Sequence, residues 1–150
     1  MLQQDDLEIR AIQSSAEKKK IVECCDEAFP RPLATRADSL EILEKIDRFA
    51  DFFAAYYKGK ASGYAAMYAN DMESRTAYIT MIGVKTIVQR QSIGSHLMDT
   101  CVKVAYSKGM KQIRLEVLNT NEKAIAFYKK HGFCVERPCT NASTYMFLSL

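Results

Sequence analysis

Gln89-Arg90-Gln91-Ser92-Ile93-Gly94-Ser95 is a polar, small-residue turn between two apolar runs of different period. Before it, Ala77 to Val84 is rich in β-branched and aromatic residues, the composition of a buried strand. After it, Ile93, Leu97, Cys101, Val104 and Ala105 recur at helical spacing, with Met98 and Val102 beside them. A strand-to-helix turn leaves the first N–H groups of the helix without intrahelical partners. It aims them, with the positive end of the helix dipole, at one point. That arrangement binds phosphate. The same residues also suit an ordinary helix start capped by Ser92. The turn lacks the Gly-Lys-Ser or Gly-Lys-Thr of a P-loop, and with Gly94 alone it lacks the three glycines of a dinucleotide fingerprint.

The other residues able to do chemistry form no obvious cluster. The five cysteines, Cys24, Cys25, Cys101, Cys134 and Cys139, are odd in number and contain no Cys-x-x-Cys pair. Three lie in apolar runs, where cysteine behaves as a small hydrophobe. A reduced, cytoplasmic protein is expected. Cys134 and Cys139 could bracket a hairpin, but nothing demands a bridge. His96 and His131 lie at ligand spacing from no cysteine, so no metal site is expected. His131 precedes Gly132, a helix C-terminal position.

These residues need a scaffold, and 150 residues suit one domain, 1–150. The apolar fraction of 48%, the charged fraction of 26% and the net charge of +3 are ordinary for a soluble globular chain. There is no basic stripe with interleaved aromatics for nucleic acid. No apolar run reaches the roughly 18 residues of a membrane span, and the polar first residues are no signal peptide. Leu7 to Ile12 alternates as a first strand. A helix from Ser14 or Ser15 to about Ala28 turns Ile21, Val22, Cys25 and Ala28 inward, and Pro30 ends it. Asp38 or Ser39 caps a second helix with Leu40, Ile42, Leu43 and Ile46 apolar. Two strands flank Lys58-Gly59-Lys60 as a hairpin. After the third helix ends at Lys108-Gly109, Gln112 to Val117 is a strand. Thr120 or Asn121 caps a short helix from Glu122 to Lys130, and two last strands cover Phe133–Glu136 and Ser143–Leu148. The order is β-α-α-β-β-β-α-β-α-β-β. This is a mixed α/β (α+β) domain with one central sheet of about seven strands and about four helices.

The turn and the block Leu115 to Phe133 together resemble the GNAT superfamily of N-acetyltransferases. That family's pyrophosphate loop runs Arg/Gln-x-x-Gly-x-Gly/Ala at a helix start. Gln89 takes the first place, Ser92 the middle glycine and Gly94 the last. The downstream form is strand-Glu-Val, then Asn, Ala, Tyr and Gly-Phe, as in Glu116-Val117, Asn121, Ala124, Tyr128 and Gly132-Phe133. The resemblance follows the element order over most of the chain and is strongest from Ala77 to Phe133.

The resemblance implies direct transfer of an acetyl group from acetyl-CoA to a primary amine. It implies that backbone amides of Gln89, Arg90, Gln91, Ser92, Ile93, Gly94 and Ser95 hold the pyrophosphate. The edge at Ile82, Gly83 and Val84 takes the pantetheine arm as an added strand, with Gly83 keeping that wall low. Tyr128 is the implied general acid for the leaving thiolate, its ordinary pKa near 10 suiting a donor. Glu116 is the implied base, although a strand carboxylate paired with Arg114 fits the same residue, as does a water chain in its place. Asn121 caps the last helix, contacts the pantetheine arm, or both. Ser92 replaces a glycine and would strain a positive φ. Gln89 gives up a charge that Lys85, Arg90 or Lys123 could supply.

The acceptor is expected to enter near Phe29-Pro30-Arg31-Pro32-Leu33-Ala34-Thr35-Arg36, where arginines and a hydroxyl could meet an anionic amine such as an amino sugar derivative or an acidic peptide. Dimerisation through the last strands is common in this fold. A non-catalytic acyl-CoA-binding module is the alternative, with Ser92 as its sequence support.

Overall fold

The computed structural model describes residues 6–86, 92–138 and 142–150. The elements are β1 (Leu7–Ala11), α1 (Ser15–Cys25), α2 (Ser39–Phe49), β2 (Asp51–Tyr57), β3 (Lys60–Tyr68), β4 (Thr76–Val84), α3 (Ile93–Ser107), β5 (Gln112–Leu118), α4 (Glu122–Lys130), β6 (Cys134–Pro138) and β7 (Ser143–Ser149). This is the order read from the sequence. The seven strands form one mixed sheet in the order β1-β2-β3-β4-β5-β7-β6. β4 and β5 are parallel, so a crossover must join them, and α3 is that crossover. None of the described helices is long and apolar enough to cross a membrane.

The chain divides into two compact units, Met1–Met67 with Met81–Cys101, and Tyr68–Thr80 with Val102–Leu150. In the first unit, α1 begins where Ser14 Oγ accepts a hydrogen bond from the Glu17 amide at 3.3 Å. Ile21, Val22 and Cys25 are buried on its inner face, as their spacing predicts. The helix stops at Cys25, short of Ala28, and a 3-10 turn covers Asp26–Ala28. The Asp26 carboxylate accepts the amides of Leu33 at 2.6 Å and Ala34 at 3.0 Å, folding the Pro-rich segment back on itself. In α2, Ile46 is buried but Leu40 is 79% exposed. At about 100° per residue Leu40 lies about 120° round the helix from Ile46.

β2 and β3 are buried along continuous runs, Phe52–Ala55 and Ser62–Met67, rather than on alternate residues. A strand covered on both faces reads this way. Their turn is the two residues Lys58 (φ 51°) and Gly59 (φ 79°). Two left-handed residues match the twist of a tight hairpin. At Gly63 an added Cβ would stand 2.5 Å from the Gly83 carbonyl oxygen, so glycine is required for β3 to approach β4 there.

In the second unit, β5 and β7 pair antiparallel from Gln112↔Ser149 to Leu118↔Ser143, with β6 on the outer side of β7. Ile113, Leu115 and Val117 alternate into the core with Met146 and Phe133. Helix α4 runs from its Asn121 cap to His131, and Gly132 (φ 94°) makes the exit turn that the sequence signals.

Candidate active site

The first unit carries the strand edge and the turn. The register of β4 with β5 covers three pairs, Thr76↔Gln112, Ala77↔Ile113 and Tyr78↔Arg114, while β4 itself continues to Val84. Ile82 and Gly83 are half-buried, and Val84 is buried. A Cβ at Gly83 would meet Phe29 Cζ at 2.8 Å. The glycine therefore makes room for an aromatic ring from the loop after α1, a contact that sequence spacing does not reveal. Just past the strand, the Lys85 amide donates to the Ser62 carbonyl at 2.8 Å, and Lys85 Nζ donates to Cys24 Sγ at 2.9 Å. That hydrogen bond holds the Lys85 pKa above its ordinary value.

Of the turn, Gln89, Arg90 and Gln91 lie outside the described residues. Ser92 has φ 60°, so it sits in the left-handed region instead of the extended conformation of an ordinary cap. Its carbonyl accepts from the His96 amide at 3.2 Å, which opens α3. Ile93 is fully buried, as are Leu97, Met98 and Cys101 along the same face. The side chain of Ile93 thus pins the helix start, while Gly94 and Ser95 are half-buried. A left-handed residue ahead of a helix curls successive N–H groups into a concave nest that receives an anion. His96 is exposed on α3.

The second unit carries the polar residues of the downstream block. Glu116 is exposed on β5, and its carboxylate accepts from Ser143 Oγ at 2.6 Å. It does not pair with Arg114. That guanidinium binds Glu136 at 2.9 Å and lies 3.7 Å over the Tyr145 ring. Ser143 enters through the β5–β7 register, which no local sequence signal specifies. Asn121 Oδ1 accepts from the Ala124 amide at 3.2 Å, the cap expected of it. Tyr128 lies two helical turns further along α4. It is 9% exposed, with its ring 5.6 Å from Phe127 and 5.7 Å from Phe133. Burial alone pushes its hydroxyl up to about 12. The ordinary value assumed from sequence is therefore too low. Tyr128 keeps its proton at neutral pH.

The segment expected to meet the acceptor is structured by its own backbone. Thr35 Oγ1 donates to the Pro32 carbonyl at 2.7 Å, and Arg36 Nη2 donates to the Arg31 carbonyl at 3.3 Å. Arg36 Nε and the Tyr64 hydroxyl are both buried without a hydrogen-bond partner.

The profile of the Acetyltransferase (GNAT) family matches residues 18–133. The chain belongs to this family. Among relatives, it is 41% identical over 58 residues to a thialysine N-epsilon-acetyltransferase of Sus scrofa, a match covering 39% of this chain and 34% of that protein. It spans about two fifths of the length of the curated relatives it matches. Among solved structures, the PaiA N-acetyltransferase of Thermoplasma acidophilum in complex with coenzyme A superposes with a TM-score of 0.78 at 20% identity, over 96% of this chain and 99% of that one. Ard1 of Thermoplasma volcanium gives a TM-score of 0.78 at 25% identity, over 97% and 98%. For this GNAT chain the left-handed Ser92 gains a meaning. It stands at the middle glycine of the pyrophosphate pattern and holds a backbone conformation that favours glycine.

Proposed function

We propose that the protein is an acetyl-CoA-dependent N-acetyltransferase that moves an acetyl group directly to a primary amine of a small molecule or peptide. The observation that carries this reading is the continuation of β4 to Val84 past its last pair with β5, followed by the left-handed Ser92 at the head of α3. The first supplies a backbone edge for an extended amide-bearing chain. The second supplies a cradle for phosphate.

Acetyl-CoA brings the activated acetyl group. Ile82, Gly83 and Val84 would align its arm, and the amides at the head of α3, from Ser92 to Ser95, would hold its pyrophosphate. Asn121 keeps the start of α4 fixed through its cap and so sets where Tyr128 stands. Tyr128 Oη–H donates to the departing sulfur, because burial keeps that proton on oxygen. Glu116, oriented by Ser143 Oγ, takes the proton of the amine. The name of the Sus scrofa relative supports a side-chain amine as acceptor. Residues 1–150 act as one domain in the cytoplasm, where Cys24, Cys25, Cys101 and Cys134 remain free thiols. The non-catalytic alternative has Ser92 as its sequence support, and the serine holds a left-handed backbone that favours glycine.

Calorimetric titration with acetyl-CoA, followed by thiol release over a panel of primary amines, tests the reading. Saturable binding and CoA release with at least one amine are expected. Binding without turnover on any amine would favour the non-catalytic module, and no binding would end both readings.

A further inference from the structure

Gly83 lies between Ile82 and Val84 on the β4 edge, and its bare face is filled by the Phe29 ring. A Cβ at Gly83 would stand 2.8 Å from Phe29 Cζ, 2.9 Å from Cε1 and 3.3 Å from Cε2, so the ring meets the strand with its far end. A glycine alone leaves this wall low; here an aromatic ring from the loop after α1 rebuilds it. The ring is held from behind. It tilts on Tyr64 at 5.3 Å, and Tyr64, fully buried, stacks on Phe52 at 5.1 Å with 7° between the ring planes. The Phe29 amide donates to the Asp26 carbonyl at 3.2 Å, and the Asp26 carboxylate fixes the loop through the Leu33 and Ala34 amides. Phe29 itself is half-buried, which leaves part of the residue free beside the edge.

In the transferase reading the thioester arm lies along Ile82–Val84, which brings its acyl group to this ring. An acetyl group adds one methyl beyond the carbonyl. Each further methylene needs volume that the ring occupies, and a ring backed by two more aromatics does not give way without strain. We propose that Phe29 sets the acyl length: it closes the acyl end of the site to chains longer than acetyl and is a specificity-determining residue for the donor. This rests on the transferase reading above and narrows it to a short-chain acyl-CoA donor. The effect of Phe29 falls on the choice of donor, whatever the amine.

The test compares acetyl-, propionyl- and butyryl-CoA as donors to one amine, in wild type, Phe29→Ala and Phe29→Leu. A methylene in a fitted pocket changes kcat/KM about tenfold or more, so wild type should fall about tenfold from acetyl to propionyl and about a hundredfold to butyryl. Phe29→Ala should shrink the acetyl-to-butyryl ratio about tenfold or more, through a gain on butyryl-CoA, with Phe29→Leu between the two. Tm separates folding from fit, and Phe29→Leu decides if Phe29→Ala does not fold. A wild type that uses butyryl-CoA as well as acetyl-CoA overturns the proposal. So does a ratio unchanged in a folded variant, or an equal loss with all three donors, which a purely structural role would give. Calorimetric titration with CoA, acetyl-CoA and butyryl-CoA reads the same space without transfer, and it decides if no amine turns over. Butyryl-CoA should bind wild type about tenfold or more weaker than acetyl-CoA, and the two should converge in the variants. The same affinity ratio in wild type and variants ends the proposal and leaves the cofactor site standing. No binding of any of the three ends the transferase reading, and this proposal with it.

Discussion

Tyr64 and Tyr128 are both buried tyrosines, one in each compact unit, and their surroundings differ in kind. Around Tyr128 the neighbours are Phe127 and Phe133, and burial is the whole reason its hydroxyl resists ionisation. Around Tyr64 burial is again the main cause, but Asp26 and Cys25 add to it and Arg36 opposes it. An apolar wrapping keeps the Tyr128 hydroxyl protonated. At Tyr64 the hydroxyl is buried without a hydrogen-bond partner. Burial is thus common to both tyrosines, and charged neighbours distinguish Tyr64.

Variants sharpen the comparison. The largest effect should come from Gly94→Asp, which acts on the cofactor rather than on either tyrosine. An aspartate in the first turn of α3 suits the helix dipole, so the fold should hold. Beside a pyrophosphate it repels, and acetyl-CoA affinity by calorimetry should fall about a hundredfold or more. Unaltered affinity in a folded variant would place the pyrophosphate elsewhere. Next is Tyr128→Phe, which should lower kcat about a hundredfold with little change in acetyl-CoA affinity. An unchanged kcat would remove Tyr128 from the chemistry and leave it as packing.

A pH series sharpens the contrast at lower cost. Burial raises Cys25, Cys101 and Tyr128 from ordinary values of 9.0, 9.0 and 10.0 to about 12. Each raised pKa belongs to a group that the folded state keeps neutral. Its contribution to stability is complete below the ordinary value and is lost as pH climbs towards 12. Tm should hold to about pH 9 and fall above it, and Tyr128→Phe should fall less steeply. A Tm independent of pH to 11 would contradict the burial of these groups. The smallest effect is Ser92→Gly. It relieves a left-handed φ of 60°. The gain should be about 1 kcal/mol or less in stability, with acetyl-CoA affinity equal or slightly tighter. A marked loss of affinity would show that the serine hydroxyl itself binds the ligand.

What was legible in the sequence was local. The Gly59 hairpin, the Asn121 cap, the Gly132 exit and the apolar stripe from Ile93 to Cys101 each depend on neighbours a few residues away, and each stands as read. The chemistry that was not legible is long-range. Ser143 reaches Glu116 only through the strand register. Phe29 reaches Gly83 and Tyr64 only because Asp26 folds the loop back. The raised pKa of Tyr128 follows from packing, which a motif does not encode. Arg114 was a plausible partner for Glu116 on spacing alone, but Glu136 and Tyr145 take it.

The central claim is that one chain holds acetyl-CoA and an amine together for direct transfer. An initial-rate matrix, with acetyl-CoA and the best amine of the panel both varied, tests it most directly. Direct transfer requires both to be bound at once, so double-reciprocal lines should intersect. Parallel lines, the mark of an acetylated enzyme released from CoA before the amine arrives, would contradict the account.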